Sequence, residues 1–132
     1  MSPQNASSTA VATQRIHVRG VDYALTDTQI SGPPVLLLHG WPDNRTLWRH
    51  QLEYLSALGF RAIAVDWIGH GESSIPTDIG RYHVNELAAD TIALLDALQI
   101  EQVHLIAHDY GATVSWETVA NYPQRFLSYC AL

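Results

Sequence analysis

Residues 104–116 read His-Leu-Ile-Ala-His-Asp-Tyr-Gly-Ala-Thr-Val-Ser-Trp, and the carboxylate at Asp109 is the group best placed to do chemistry. An apolar run ends at Ala107, a small-residue turn follows, and the next segment reads as a helix. Ala107 and Gly111 flank Asp109 by two residues on either side. Where a strand turns sharply into a helix its backbone crowds at those flanks, so small residues fit and the middle side chain stands exposed above the sheet. The helix behind it offers unpaired N–H groups and the positive end of its dipole. With a reference pKa of about 3.9, an aspartate is already ionised at neutral pH and needs no base to activate it. Such a carboxylate can attack a saturated carbon bearing a leaving group, forming an alkyl ester on the protein. That chemistry suits epoxides and carbon–halogen bonds and is poorly suited to amides. Taken alone, the pentapeptide fits a plainer role better: aspartate is a favoured helix N-cap.

Two further stretches bear on this choice. His39-Gly40-Trp41-Pro42 follows an apolar run and reads as a strand-end loop beside the Asp109 turn. Its backbone can aim the N–H of Trp41 at the same point as the N–H of Tyr110. Two such donors would stabilise the oxyanion formed when water attacks the ester carbonyl of alkylated Asp109. By itself the tetrapeptide also fits a proline-stiffened turn in which Trp41 merely packs. Asp66 to Ser74, DWIGHGESS, is glycine-rich, but it lacks a lysine and matches no phosphate-binding pattern. It reads as structural turn chemistry near the pocket. The seven histidines show no metal-ligand spacing, so neither metal nor cofactor is expected.

The elements that must hold these groups follow from periodicity. Residues 16–20 and 21–27 suggest two short strands about a turn at Gly20. Val35 to Leu38, Phe60 to Val65 and Val103 to Ala107 are short apolar runs of the kind buried on both faces of a parallel sheet. Trp48, Leu52, Leu55 and Leu58 fall at helical spacing over 46–58, with Gly59 placed for a helix end. Val84, Leu87, Ala88, Thr91, Leu94, Leu95 and Leu98 mark a second helix, and Tyr110 to Asn121 a third, stopped by Pro123. Phe126 to Leu132 reads as a further strand. The alternation predicts an α/β fold, a mostly parallel sheet with helices on both faces. Ligands of such sheets bind at the carboxyl ends of the strands, where all three stretches lie.

Composition narrows the partners. Thirteen acidic against seven basic residues give a net charge of −6, which argues against nucleic acid or an anionic membrane; the small-molecule substrate expected is the epoxide or halogenated compound that the Asp109 chemistry suits. Cys130 is the sole cysteine, so no intrachain disulfide is available. Residues 1–14 are small and polar, without the pattern of a signal peptide, and are expected to be a disordered tail ahead of a domain over 15–132. Asn5-Ala6-Ser7 matches a glycosylation acceptor but is read as chance. A cytoplasmic protein is the default expectation; oligomeric state is not legible.

In combination and in order, HGWP, DWIGHGESS and HDYGA resemble the α/β-hydrolase superfamily, and NYPQRF resembles its helix exit. The resemblance covers residues 15–132. Aspartate, where most members carry serine, points to the branch of epoxide hydrolases and haloalkane dehalogenases. HGxP is the epoxide-hydrolase form. Haloalkane dehalogenases usually hold halide with Asn at the position of Trp41 and Trp at that of Tyr110. Both differ here, which favours an epoxide over a halogenated compound, although haloacid dehalogenases use other residues. Tyr110 also departs from the tryptophan frequent in epoxide hydrolases. The resemblance implies Asp109 as nucleophile, the N–H groups of Trp41 and Tyr110 as oxyanion hole, and His39, Gly40 and Pro42 as the motif around it. Family members continue into a helical cap with ring-opening tyrosines, then strands bringing an acid and a histidine. None of these lies within the 132 residues. The expectation is therefore the N-terminal portion of the fold, cap and C-terminal strands absent, either catalytically incomplete or dependent on a partner. Phe126–Leu132 would then be an open, apolar, aggregation-prone edge.

Overall fold

In the computed structural model the described residues are 12–132. Strands β1 (Thr13–Val18) and β2 (Val21–Asp27) form an antiparallel hairpin. Strand β3 (Pro34–Leu38) is followed by α1 (Arg49–Ala57), and β4 (Arg61–Val65) by α2 (Val84–Ala97). Strand β5 (Val103–Ala107), α3 (Tyr110–Asn121) and the edge strand β6 (Phe126–Ala131) complete the chain. The six strands lie in the order β1-β2-β4-β3-β5-β6, with β4, β3, β5 and β6 mutually parallel. From β3 the chain steps to β4 on one side and then back across to β5 on the other. The carboxyl ends of β3 and β5 thus border the point where the winding reverses, the place where open sheets of this type leave a crevice.

Each parallel strand serves two cores, because successive side chains point to opposite faces. Val35, Leu37, Ala62 and Ala64 pack with Trp48, Leu52 and Leu55 beneath α1. Leu36, Leu38, Ile63, Val65 and Leu105 pack on the other face with Leu87, Leu94, Ala112 and Val114 of α2 and α3. Helices therefore cover both faces, as the apolar runs predict.

Two boundaries differ from the sequence reading. The helix expected over 46–58 opens with a tight 3₁₀ turn, Arg45–Trp48, and becomes α-helical only at Arg49. Asn44 caps that turn by accepting from Thr46 N–H at 2.9 Å, while Arg45 N–H is drawn aside to the Asp66 carboxylate. Strand β1 begins at Thr13, so Thr13 and Gln14 belong to the sheet; the rest of the expected tail, residues 1–11 with the Asn5 motif, lies outside the described residues. The helix ends behave as read: Gly59 takes φ +94°, and Phe60 N–H reaches back to Leu55 C=O at 3.0 Å, closing a Schellman motif. Strand β6 lies at the sheet edge, with Leu127 and Leu132 exposed. Among the described residues no helix is long and apolar enough to cross a membrane.

The hairpin is tied to α2 through one buried carboxylate. Arg19 and Gly20, both at positive φ, make the two-residue turn between β1 and β2. From that turn Arg19 donates to Asp90 at 2.8 Å; Arg81 donates to both Asp90 oxygens, and Tyr23 Oη–H donates at 2.6 Å. Asp90 is fully buried, and burial followed by the charge of Asp90 pushes the Tyr23 phenol far above its ordinary pKa. Removing the carboxylate strands two guanidinium groups and a buried hydroxyl. Asp90→Ala is expected to cost about 3–5 kcal/mol in urea unfolding. Asp90→Asn, which keeps an acceptor for Tyr23, should cost less.

Candidate active site

Asp109 stands two residues past the end of β5 and has φ +55° and ψ −121°. This region strains any side-chain-bearing residue by about 1–3 kcal/mol and persists only where the surroundings dictate it. They do so here. His108 N–H donates to Leu38 C=O at 3.0 Å on the β3 side, and Asp109 N–H donates to Leu132 C=O at 3.0 Å on the β6 side. Asp109 C=O then accepts from Ala112 and Thr113, starting α3.

Asp109 does stand at the N-cap position, yet its side chain makes no capping bond to the helix. Instead Oδ2 accepts the N–H of Trp41 at 3.1 Å. The carboxylate is solvent-exposed, and its proton affinity is held below the ordinary aspartate value. The Tyr110 N–H contributes most, then the Trp41 N–H, against a small opposing desolvation, with His108 adding a minor favourable charge effect. The two N–H groups expected to form an oxyanion hole are thus the two that act on this carboxylate.

Glycines let the loops approach. A Cβ on Gly40 would lie 2.5 Å from Asp109 Cβ and 2.8 Å from its Oδ2. A Cβ on Gly111 would lie 2.4 Å from the His39 carbonyl oxygen and 2.8 Å from that of Leu38. At Gly111 the elbow thus packs on the HGWP-loop backbone, and at Gly40 that loop packs on the Asp109 side chain and the His108 carbonyl. Pro42 follows Trp41 through a cis peptide bond, in a turn closed by Asp43 N–H to Gly40 C=O at 3.2 Å.

His39 belongs to the architecture. Its Nε2 accepts the backbone N–H of Trp67 at 3.1 Å, which places the ring proton on Nδ1, donated to Gly40 C=O at 2.7 Å. Burial lowers its pKa, so the ring stays neutral with both nitrogens occupied. Among the described residues no histidine hydrogen-bonds to Asp109.

The glycine-rich loop after β4 supports the site from beneath. Asp66, fully buried, accepts from Arg45 N–H, the Arg45 guanidinium and Glu72 N–H. Gly71 packs so close to this carboxylate that a Cβ would overlap it. Trp67 donates its indole N–H to His39 C=O at 3.0 Å. Sequence reasoning placed this loop near the pocket but not the role of Trp67, whose buried indole carries no motif. Its one legible signal was a large aromatic residue immediately after a strand-end acid.

The profile of the alpha/beta hydrolase fold matches residues 33–132. The chain belongs to the α/β-hydrolase fold family. An epoxide hydrolase of Caballeronia sordidicola is 41% identical over 111 residues, 84% of this chain and 33% of that protein. Bifunctional epoxide hydrolase 2 of Sus scrofa is 39% identical over 102 residues, 77% of this chain and 18% of that protein. The crystal structure of an epoxide hydrolase from Vigna radiata superposes with a TM-score of 0.90 at 36% identity, covering 95% of this chain and 40% of that one. The chain thus spans a third or less of the length of these two curated relatives.

Two outcomes test the geometry. Gly40→Ala should displace the Asp109 carboxylate and abolish its reaction with an electrophile while leaving the circular dichroism spectrum intact. Because the Asp109 pKa is depressed, its carboxylate should stay ionised as pH falls from neutrality and reach its titration midpoint below about 3.9, the ordinary aspartate value, as followed by ¹³Cγ NMR.

Proposed function

We propose that this chain carries the nucleophile and oxyanion hole of an epoxide hydrolase. The observation that supports this most is the hydrogen bond from Trp41 N–H to Asp109 Oδ2, made across two loops by a carboxylate held at positive φ. A helix cap would need neither feature.

The reaction follows from which oxygen is held. With Oδ2 held by the Trp41 N–H, Oδ1 attacks a ring carbon of the epoxide. A C–O bond forms to Oδ1, the ring C–O bond breaks, and the alkoxide takes a proton from solvent water to become a hydroxyl. Oδ2 is then the carbonyl oxygen of the ester, already bonded to the Trp41 N–H, with the Tyr110 N–H at the start of α3 as the second donor. Water adds to Cγ, negative charge develops on Oδ2, and the same donors stabilise it where it sits. Collapse releases a vicinal diol and restores the carboxylate. The second step needs a base for the water, and His39 cannot supply it with both ring nitrogens engaged. The epoxide hydrolase names of the relatives support the choice of electrophile.

Incubating the 132-residue chain with a reactive terminal epoxide should add one epoxide mass, mapped by peptide sequencing to Asp109 and absent from Asp109→Ala. Haloalkanes of similar size should react more slowly, because the halide-holding side chains of dehalogenases are replaced by Trp41 and Tyr110. An equal adduct on Asp109→Ala would overturn the assignment; a faster reaction with haloalkanes would move it to a dehalogenase.

A further inference from the structure

We propose that Trp67 is a positioning residue for the oxyanion hole, fixing the direction of the Trp41 N–H relative to Asp109. This inference rests on the reading of Asp109 as the nucleophile served by that hole.

Trp67 contacts both loops that supply the donors. Its indole N–H is bonded to the carbonyl of His39 at 3.0 Å, and its backbone N–H to the ring of the same histidine at 3.1 Å. His39 stands two residues before Trp41, so its peptide plane largely sets where the Gly40–Trp41 segment runs. On its other side the Trp67 ring meets Tyr110 edge to face, with centroids 6.4 Å apart. Trp67 is 1% exposed and packed in the larger core, so it has little freedom to shift. Gly111 already presses on the His39 carbonyl from the elbow side. The carbonyl is therefore fixed between a backbone contact on one side and an indole hydrogen bond on the other. Releasing the hydrogen bond leaves the loop free to rotate about the Gly40 backbone, the one residue there without a side chain.

His70, from the same loop, reinforces the arrangement. Its ring sits edge to face with His39 at 5.1 Å and lies stacked beside Tyr110 at 6.5 Å. The loop after β4 thus braces the HGWP loop and the elbow with two rings, of which only Trp67 also holds the HGWP backbone by a hydrogen bond.

The test is Trp67→Phe, which keeps a ring against Tyr110 and removes the donor to His39. A second version replaces the residue with 3-benzothienylalanine, which preserves ring size and exchanges only the indole N–H for sulfur. Two readouts need no turnover: the Asp109 titration followed by ¹³Cγ NMR, and the amide proton shift of Trp41. Both replacements should raise the Asp109 midpoint toward about 3.9 and shift the Trp41 amide proton upfield. Where the ester forms, its hydrolysis should slow by about tenfold or more, a fraction of the loss on deleting an oxyanion donor outright. An unchanged Asp109 midpoint and Trp41 shift in the benzothienyl protein would overturn the proposal. Absence of any epoxide adduct on the unmodified chain would instead overturn the nucleophile reading, with the NMR result still deciding the role of Trp67.

Discussion

The backbones leaving β3 and β5 approach so closely that neither Gly40 nor Gly111 has room for a methyl group. That contact puts the Trp41 N–H within hydrogen-bonding distance of a carboxylate 68 residues further along the chain. It requires β3 and β5 to be neighbours in register, Leu38 opposite Ala107, so that both strands end at the same height. It requires helices on both faces to hold the sheet, and a third loop, after β4, to hold His39. The site is in this sense a consequence of strand order, since the winding reverses where these two strands meet.

The charge at the centre is stabilised by dipoles rather than by a cation. Among the described residues no arginine pairs with Asp109; the seven basic residues of the chain are largely engaged elsewhere, with Arg45 on Asp66, Arg61 on Asp27, and Arg19 and Arg81 on Asp90. An ion pair would lower the carboxylate's reactivity toward an electrophile by tying up both oxygens. The Trp41 N–H on Oδ2 and the neighbouring Tyr110 N–H keep the group ionised without a counter-charge, and Oδ1 is left able to form a bond. In the proposed reaction the same donors would serve the ester carbonyl and then the oxyanion, so the protein would not need to reorganise between steps. That is where preorganised dipoles outperform water.

Much of this was legible in the sequence, for identifiable reasons. The short apolar runs at 35–38 and 103–107 could only be strands buried on both sides, and the small residues around Asp109 announced a sharp turn. HGWP and HDYGA could be paired because strand-end loops share one edge of a parallel sheet. What stayed hidden depended on side chains meeting across the fold. The Asp66–Arg45 anchor, the Asp90 cluster and the indole of Trp67 on His39 join residues 9 to 71 positions apart, and no local pattern encodes them. The first turn after Asn44 tightened for the same reason, since Arg45 answers to a buried carboxylate rather than to helical period.

The central claim is that Asp109 forms an ester whose carbonyl oxygen rests in the hole made by Trp41 and Tyr110. The most direct measurement is a single round of ester formation and hydrolysis in H₂¹⁸O, followed by mass spectrometry of the Asp109 peptide and of the diol. If water attacks Cγ, one ¹⁸O atom appears in Asp109 and the diol carries none from that round. Label found in the diol with Asp109 unlabelled would mean that water opens the ring directly, and would contradict the account.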